Sequence, residues 1–366
     1  MRGEAKPDRI FLILISILVA FGLAALFSAS TPVGYARFGD PYFFIKRQVL
    51  FGLIPGVLFA YVLNRTDFKF FKKFSFLFYV FSLMMLVLVF VPKIGLTINS
   101  SRSWLSVGGF SFQPAELAKL GLIFFLAYLL SQKKYDWSNW QLSLLPVLVL
   151  ISPALLLVLL QPDVGTLSIM VVIIFAMLYV AKVPKKYLAF LSLMGVISFM
   201  GLIMAAPYRA ERITTFLHPE LDPQGVGYQM NQAFLAIGTG GMWGLGFNNS
   251  RQKYLHLPEV SADTIFAVIA EENGFLVSAG LIIFIVIFTW RGFKIAKSVP
   301  DEFGALLVTG IMVWFGWQSL LNIGATVGAL PLTGVPLPFI SHGGSSLAVS
   351  LAAVGVVLSV SREAKI

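Results

Sequence analysis

Apolar residues in this chain run in long unbroken stretches rather than in the one-sided stripes of a soluble helix. Ten such stretches are separated by polar breaks: Ile10–Ser30, Val49–Leu63, Phe74–Pro92, Pro114–Leu130, Leu142–Leu160, Val164–Ala181, Tyr187–Ala206, Asp263–Trp290, Phe303–Leu330 and Ile340–Ser361. A helix of roughly 20 apolar residues crosses a bilayer. The pattern therefore predicts an all-α, polytopic membrane bundle of about ten transmembrane helices. The first stretch leads into many others, so it reads as an uncleaved span. Most breaks are short. The exception is Pro207–Ala262, rich in Gly, Pro, Asn and Gln, in which Tyr228–Ile237 predicts a short helix. Loops of that length usually carry function or are disordered. Regular aromatic and leucine residues in this one predict that it packs on the bundle. No internal repeat interrupts the pattern, and residues 1–366 are expected to form one membrane domain.

Composition supports this picture. Of 366 residues, 58% are hydrophobic and 12% charged, against about 25% charged in soluble domains. The net charge of +10 would fit a nucleic-acid binder, but the basic residues follow the breaks. With the N-terminus placed inside, the inner segments hold Arg2, Lys6, Arg9, Arg65, Lys69, Lys72, Lys73, Lys133, Lys134, Lys182, Lys185, Lys186, Arg291, Lys294, Lys297, Arg362 and Lys365. These are 17 of the 27 basic residues. Basic residues favour the cytoplasmic side of short loops. Both termini are thus expected in the cytoplasm, and the charge is a topology signal with no nucleic-acid partner implied. The chain has no cysteine, which excludes disulfides, thiolate nucleophiles and cysteine zinc sites.

Polar residues near the spans concentrate at the opposite, outer level. Arg102 precedes the fourth span. Gln113 stands at its start, and Glu116 and Lys119 follow on one helix face. Gln161 and Asp163 lie in the outer turn between the fifth and sixth spans. Lys253 and Glu259 lie in the long loop. Asp263 opens the eighth span, with Glu271 and Glu272 two turns deeper, and Ser341 and His342 open the tenth. Ionisable groups in a membrane pair with one another or line an aqueous cavity, so this level reads as one outward-facing polar cavity. Plainer readings exist for each. Glu116 and Lys119 can form a structural ion pair, Glu271 and Glu272 can glue helices, and Asp263 can serve as a helix cap or complement the helix dipole. The glycine-rich run from Gly238 to Gly244 lacks the spacing and the preceding strand of a phosphate loop and reads as a tight turn. His218, His256 and His342 have no zinc-ligand spacing.

Five ordered blocks carry a resemblance. They are Ser101-Arg102-Ser103-Trp104-Leu105 with Phe112-Gln113-Pro114-Ala115-Glu116-Leu117-Ala118-Lys119-Leu120; Gln161-Pro162-Asp163-Val164-Gly165-Thr166; Tyr228-Gln229 through Gly241; Leu257-Pro258-Glu259 through Glu272; and Asn322-Ile323-Gly324 with Leu330 through Ser346. Together the chain resembles the SEDS family (shape, elongation, division and sporulation), the FtsW and RodA glycosyltransferases of bacterial wall synthesis, over nearly its whole length. The run Asn248–Lys253 is nearer the FtsW pattern than the RodA one. Two departures stand out. The family's His-Thr-Asp is Ser261-Ala262-Asp263 here, and its Ser-Tyr-Gly-Gly is Ser341-His342-Gly343-Gly344.

The resemblance implies a polymerase of lipid II, the disaccharide-pentapeptide carried on undecaprenyl diphosphate, in the bacterial inner membrane. Asp263 is then the expected general base. Arg102, Lys119 and Lys253 are the cations expected to meet the leaving diphosphate, with a divalent cation (Mg or Mn) near Asp263 as a further candidate. Glu116 would orient Lys119, and Gln113, Gln161 and Asp163 would shape the cavity. Glu259, Ser341 and His342 complete the expected substrate-binding set, and the expected partner is a class B penicillin-binding protein transpeptidase. Rival readings are a lipid II flippase, a secondary transporter and a non-catalytic scaffold of the division machinery. A flippase predicts polar residues through the full depth of the bundle, and a transporter predicts repeated halves with broken spans.

Overall fold

The computed structural model describes residues 6–98, 101–107, 110–132, 139–204, 212, 214–222, 224–254 and 256–365. Arg2, Lys133, Lys134 and the start of the long loop at 207–211 lie outside the described residues. Among the described residues, ten helices of 17 residues or more follow the ten apolar stretches: α1 (Arg9–Phe38), α2 (Phe43–Arg65), α3 (Phe68–Leu88), α4 (Pro114–Leu130), α5 (Trp140–Leu160), α6 (Val164–Val180), α7 (Lys185–Met204), α9 (Ile265–Ser298), α10 (Glu302–Thr326) and α11 (Gly344–Ser361). The long loop adds α8 (Val226–Gly240), two residues longer at its start and three at its end than the predicted Tyr228–Ile237. Local chemistry sets the helix starts. Asp8, Asp67, Asn139 and Asp301 each accept a backbone N–H from the first turn, which satisfies donors the helix itself leaves unpaired.

The bundle is layered by burial. The most apolar 18-residue window of α11 is 89% buried and that of α10 72%, whereas those of α1, α2, α3, α5 and α9 are 17–33% buried. The first two helices, with α4, form the interior. The others surround them and turn Phe, Leu, Ile and Val outward, the distribution expected of a bundle solvated by lipid. The chain is thus a multi-pass, all-α membrane protein. Close approach of α2 and α11 depends on small residues. A Cβ on Gly355 would stand 2.5 Å from the Ala60 carbonyl oxygen, and one on Gly56 would stand 2.7 Å from a Leu351 methyl carbon. Such contacts let helix backbones meet where no hydrophobic effect drives them together.

Helices α4, α6, α9 and α11 all begin at one end of the bundle, termed here the site end. At the other end Asp8 pairs with Arg291, and Lys69 with Glu363 at 3.2 Å. Lys69 and Arg291, assigned to one side from the charge pattern, therefore do share a side, and Asp8 and Glu363, near the two chain ends, lie there with them. A three-stranded antiparallel sheet precedes α4, with order β1 (Gly95–Ile98), β2 (Ser101–Val107), β3 (Phe110–Phe112). The apolar runs predict a loop over this stretch. These strands have three to seven residues, too few for a clear alternation to stand out.

α9 is not one continuous helix. Gly274 has φ 74° and ψ −176°, and this break frees backbone groups on both sides. The turn after α8 takes them up. Leu245 N and Gly246 N donate to Glu271 O and Glu272 O at 3.0 and 2.9 Å, and Phe275 N donates to Gly241 O at 2.9 Å. The glycine run read as a tight turn therefore exists to lay backbone against backbone: a Cβ on Gly244 would meet the Glu272 carbonyl oxygen at 2.2 Å.

Candidate functional site

The segment between α10 and α11, residues 327–343, ties the polar groups together at the site end. Starting from α4, the Lys119 ammonium contacts Glu116 Oε1 and Gln318 Oε1, each at 2.8 Å, and lies 4.6 Å from the centre of the Trp314 ring. Gln318 also receives Trp314 Nε1 at 2.7 Å and donates Nε2 to Pro336 O at 2.8 Å. Ser346 Oγ, in the first turn of α11, donates to Glu116 Oε2 at 3.2 Å. Glu116 and Lys119 are thus an ion pair, as the plainer reading has it, but one wired into α10, α11 and the connecting segment.

Next to it stands Asp163, which caps α6. Its carboxylate accepts Thr166 N at 2.9 Å and Thr166 Oγ1 at 2.8 Å. Gln113 Nε2 reaches the same carboxylate at 3.4 Å, and Gln113 N donates to Ser345 Oγ at 3.3 Å. A Cβ on Gly165 would touch both Val335 and Thr333, so the connecting segment also packs on α6.

Asp263 lies one residue before the cap of α9 and keeps partial exposure. Its backbone carbonyl accepts Asn322 Nδ2 at 2.8 Å, and the same amide donates to Val335 O at 2.9 Å. Gly334 lies directly across, within 3.8 Å of Oδ2 for an added Cβ. Burial pushes the carboxyl up to about 6, and Glu259 adds to the rise. Its own backbone N–H, the Gln229 amide and Arg212 pull the other way. Ser341 Oγ donates to Ala262 O and accepts Leu337 N at 2.8 Å, while His342 N donates to Ser261 O at 2.7 Å. Gln48 closes this side, with Nε2 donating to Ser341 O at 3.1 Å and Oε1 accepting Gly343 N at 2.9 Å. The His342 ring meets Phe44 edge-on at 5.0 Å. Burial and then Arg47 push its imidazole down to about 4, so it is neutral at neutral pH.

The structure therefore gathers Gln113, Glu116, Lys119, Asp163, Glu259, Asp263, Ser341 and His342 around one connecting segment. Three expected site residues have other partners. Lys253 corrects the reading of a cation waiting for diphosphate. It is fully buried, and its three N–H bonds go to Glu272 Oε1 at 2.8 Å, Asn248 Oδ1 at 2.7 Å and Ser28 Oγ at 3.0 Å. An ammonium has three donors and no more. Arg102 on β2 donates to Val91 O at 3.3 Å, at the end of α3. Gln161 is buried with Nε2 on Leu86 O at 3.2 Å, holding the same helix end. Glu271 and Glu272 behave as the gluing reading expects. Glu271 accepts Arg251 N at 3.0 Å, Gln252 N at 3.3 Å and the Ser250 hydroxyl.

Arg47, Gln48, Arg212, Gln229, Gln318 and Asn322 belong to the site but were not singled out from the sequence. Gln318 and Asn322 had a readable signal, two amides one turn apart inside an apolar span. Gln229 lies in a block that carries the family resemblance, and the others gave none. Among the described residues, no group of three or more His, Cys, Asp or Glu side chains is arranged to hold a metal ion.

A second feature adjoins the polar group. Between α2, α3, α4 and α11 lies an apolar groove of about 830 Å³, lined by Phe51, Phe59, Phe71, Phe74, Phe78, Phe124, Leu120 and Ala352 among others. At the site end it reaches Phe112, Leu117 and Ser345, each within one turn of Gln113, Glu116 or Ser346.

Residues 8–366 match the FtsW/RodA/SpoVE family, described as a cell cycle protein. Stage V sporulation protein E of Bacillus subtilis is 40% identical over 362 residues, covering 99% of each chain. A protein of Geobacter sp. named Probable peptidoglycan glycosyltransferase FtsW is 35% identical over 361 residues, covering 99% of this chain and 98% of that one. Among solved structures, a chain of a peptidoglycan synthase complex that coordinates polymerization and crosslinking superposes with TM-score 0.80 at 30% identity, over 97% of this chain and 98% of that one. Thermus thermophilus RodA does so with TM-score 0.71 at 28% identity, over 98% of each.

Proposed function

This chain belongs to the FtsW, RodA and SpoVE family, and from that premise we propose that it is a peptidoglycan glycosyltransferase that polymerises lipid II. In this reading the site end faces outward from the bacterial inner membrane and both chain ends lie in the cytoplasm. The observation that carries it is the juxtaposition of a half-buried carboxylate, a ring of buried polar groups and an apolar groove, all meeting at one end of the bundle. A lipid-linked sugar has the same three parts in the same order: a sugar, a diphosphate and a long hydrocarbon tail.

The residues then take defined roles. The 4-hydroxyl of the acceptor sugar attacks C1 of the donor sugar, and its proton passes to the Asp263 carboxylate. The bond between C1 and the diphosphate oxygen breaks, undecaprenyl diphosphate leaves with the electron pair, and configuration at C1 inverts. A base works best when its pKa lies near the operating pH, and burial brings Asp263 up to about 6. The leaving diphosphate gathers negative charge. It is met by the positive ends of α4, α6 and α11, which begin together here, and by the fields of Lys119, Arg47 and Arg212. Glu116, Gln318 and Trp314 fix Lys119 in place. Neutral His342 and Ser341 fix the turn beside Asp263.

A divalent ion fits the donor chemistry in one way. Mg²⁺ is commonly held by one or two carboxylates together with substrate phosphates, and Asp263 and Glu259 are the carboxylates at hand. Bound there, it would neutralise charge on the diphosphate. The partner in this reading is a single-span class B penicillin-binding protein, for which the outward residues Ile283, Val286 and Ile287 of α9 offer an apolar helix face. The deciding experiment incubates purified protein with lipid II and Mg²⁺ or Mn²⁺, with and without that transpeptidase, and separates the products on a gel. Glycan ladders that vanish with Asp263→Asn are the expected result. Ladders of normal length from that variant remove Asp263 from the mechanism, and no ladder under any condition removes the polymerase reading.

A further inference from the structure

Three consecutive carbonyls lead into the candidate base, and each is held by a donor from elsewhere in the chain. Ser261 O accepts His342 N at 2.7 Å, Ala262 O accepts the Ser341 hydroxyl, and Asp263 O accepts Asn322 Nδ2 at 2.8 Å. Two of these three donors belong to the turn at 341–343, so Asp263 is placed only as well as that turn is placed. The turn is not at rest by itself. Phe339, just before it, has φ 66°, a left-handed conformation that a bulky residue keeps only where its surroundings over-determine it.

Gln48 supplies support from outside the turn. Its side chain is 1% exposed, and one amide makes two bonds: Nε2 donates to Ser341 O at 3.1 Å, and Oε1 accepts Gly343 N at 2.9 Å. His342 is thus held through both neighbours by Gln48, while its own N–H is committed to Ser261. The glutamine arrives from α2, 293 residues away in sequence, and α2 is shaped to deliver it. The residues that follow, Val49–Leu53, wind as a π-helix, a rare form that often marks a functional site. This segment lays Gly52 against α11, where an added Cβ would stand 3.2 Å from the Gly344 Cα. Leu50 and Phe51 of the same segment line the apolar groove.

We propose that Gln48 is a positioning residue for Asp263, acting through the turn at 341–343 rather than on the sugar. This rests on the glycan-polymerase reading and deepens it. The chemistry calls for one donor and one acceptor on a single planar group. Methionine fills the volume and makes neither bond. Glutamate has the same shape, and its protonated form carries one O–H donor and one acceptor, so it makes both bonds. Ionised, it sets a negative oxygen against Ser341 O.

The test makes Gln48→Met and Gln48→Glu in the full chain. It reads hydrogen exchange by mass spectrometry, the unfolding midpoint, and kcat and KM for lipid II across pH. Gln48→Met is expected to exchange faster over residues 258–264 and 337–344 and nowhere else. Its kcat should fall roughly 10–100-fold, the order of loss for a catalytic group misplaced by about 1 Å. KM should stay near native, as for a contribution made only in the transition state. Burial favours the protonated form of a carboxyl, so Gln48→Glu should restore kcat near neutral pH and lose it again as the pH rises, a falling limb absent from the native profile. A native kcat in Gln48→Met overturns the proposal, and so does unchanged exchange over 258–264 or a loss that Gln48→Glu restores at no pH. Where Gln48→Met does not fold, Gln48→Glu decides alone: the falling limb with KM held supports the placement, and a native profile overturns it. No polymer from the native protein refutes the polymerase reading, and the exchange data then decide by themselves whether Gln48 holds the Asp263 segment.

Discussion

The buried pair Lys253–Glu272 gives the sharpest test of how the site divides into scaffold and chemistry. Both side chains are at most 2% exposed, and the ammonium has all three donors satisfied by Glu272, Asn248 and Ser28. In Lys253→Met the Glu272 carboxylate keeps only the Ser28 hydroxyl and Ser250 N and loses its counter-charge. Breaking a buried pair by removing one partner costs about 3–5 kcal/mol. In the double variant Lys253→Met/Glu272→Leu no charge is left behind. What remains is the Ser28 hydroxyl, the Asn248 amide oxygen and the Ser250 N–H short of partners, about 1 kcal/mol apiece. With either single variant at about 3–5 kcal/mol and the double at about 3, a double-mutant cycle should return a coupling of roughly 3–7 kcal/mol, well outside the additivity expected of independent sites. The assay is denaturant or thermal unfolding in detergent, run beside glycan synthesis from lipid II. The single variant should be destabilised, and the double variant should be at least as stable as the single and keep its activity. A single variant as stable as the native protein yet inactive would refute the reasoning and return Lys253 to the substrate.

Lys119 should behave differently. Glu116→Leu/Lys119→Met removes charge from both partners and should fold, yet glycan synthesis should fall about 10²–10³-fold, the usual loss for one electrostatic stabiliser of a transition state. Synthesis within a few-fold of native would assign that pair to scaffolding as well. Glycan synthesis should fall tenfold per pH unit as the pH drops below about 6, since Asp263 is ionised only above its raised pKa of about 6; a profile flat from pH 7 to pH 4 would exclude it as the base. Ala352→Trp fills the groove between α2, α3, α4 and α11, and is expected to raise the KM for lipid II with unfolding unchanged. Gly355→Val drives a side chain into the Ala60 carbonyl, and should cost about 1–3 kcal/mol of stability by overpacking, seen as a lower unfolding midpoint.

The sequence made the bundle legible because lipid imposes a long apolar run on every span, and no soluble element imitates that. It was equally clear about which end of the bundle carries the polar groups. The three-strand sheet before α4 escaped, since Leu96, Trp104 and Phe112 sit in strands too short to show a period of two. Lys253 was misread for a different reason. A lysine beside a membrane boundary reads as free until its partner is known, and Glu272 and Ser28 come from helices 19 and 225 residues away. Arg212 was silent, and Gln229 had no assignable role although it lies in a block that carries the resemblance, because loop residues acquire meaning only where the loop lands. The break at Gly274 was also hidden, because a glycine inside an apolar run is common in membrane helices.

That break has a mechanical consequence. The rungs missing from the ladder of α9 are supplied by residues 241–246, so loop and helix share a single hydrogen-bonded unit. Lifting the loop would leave those carbonyls and amides without partners, at about 1–3 kcal/mol for each that stays buried, so it does not swing as a free lid. Any pull on residues 241–246 by a neighbouring protein is instead delivered as torque to the first turns of α9, and from there to the acid that opens it.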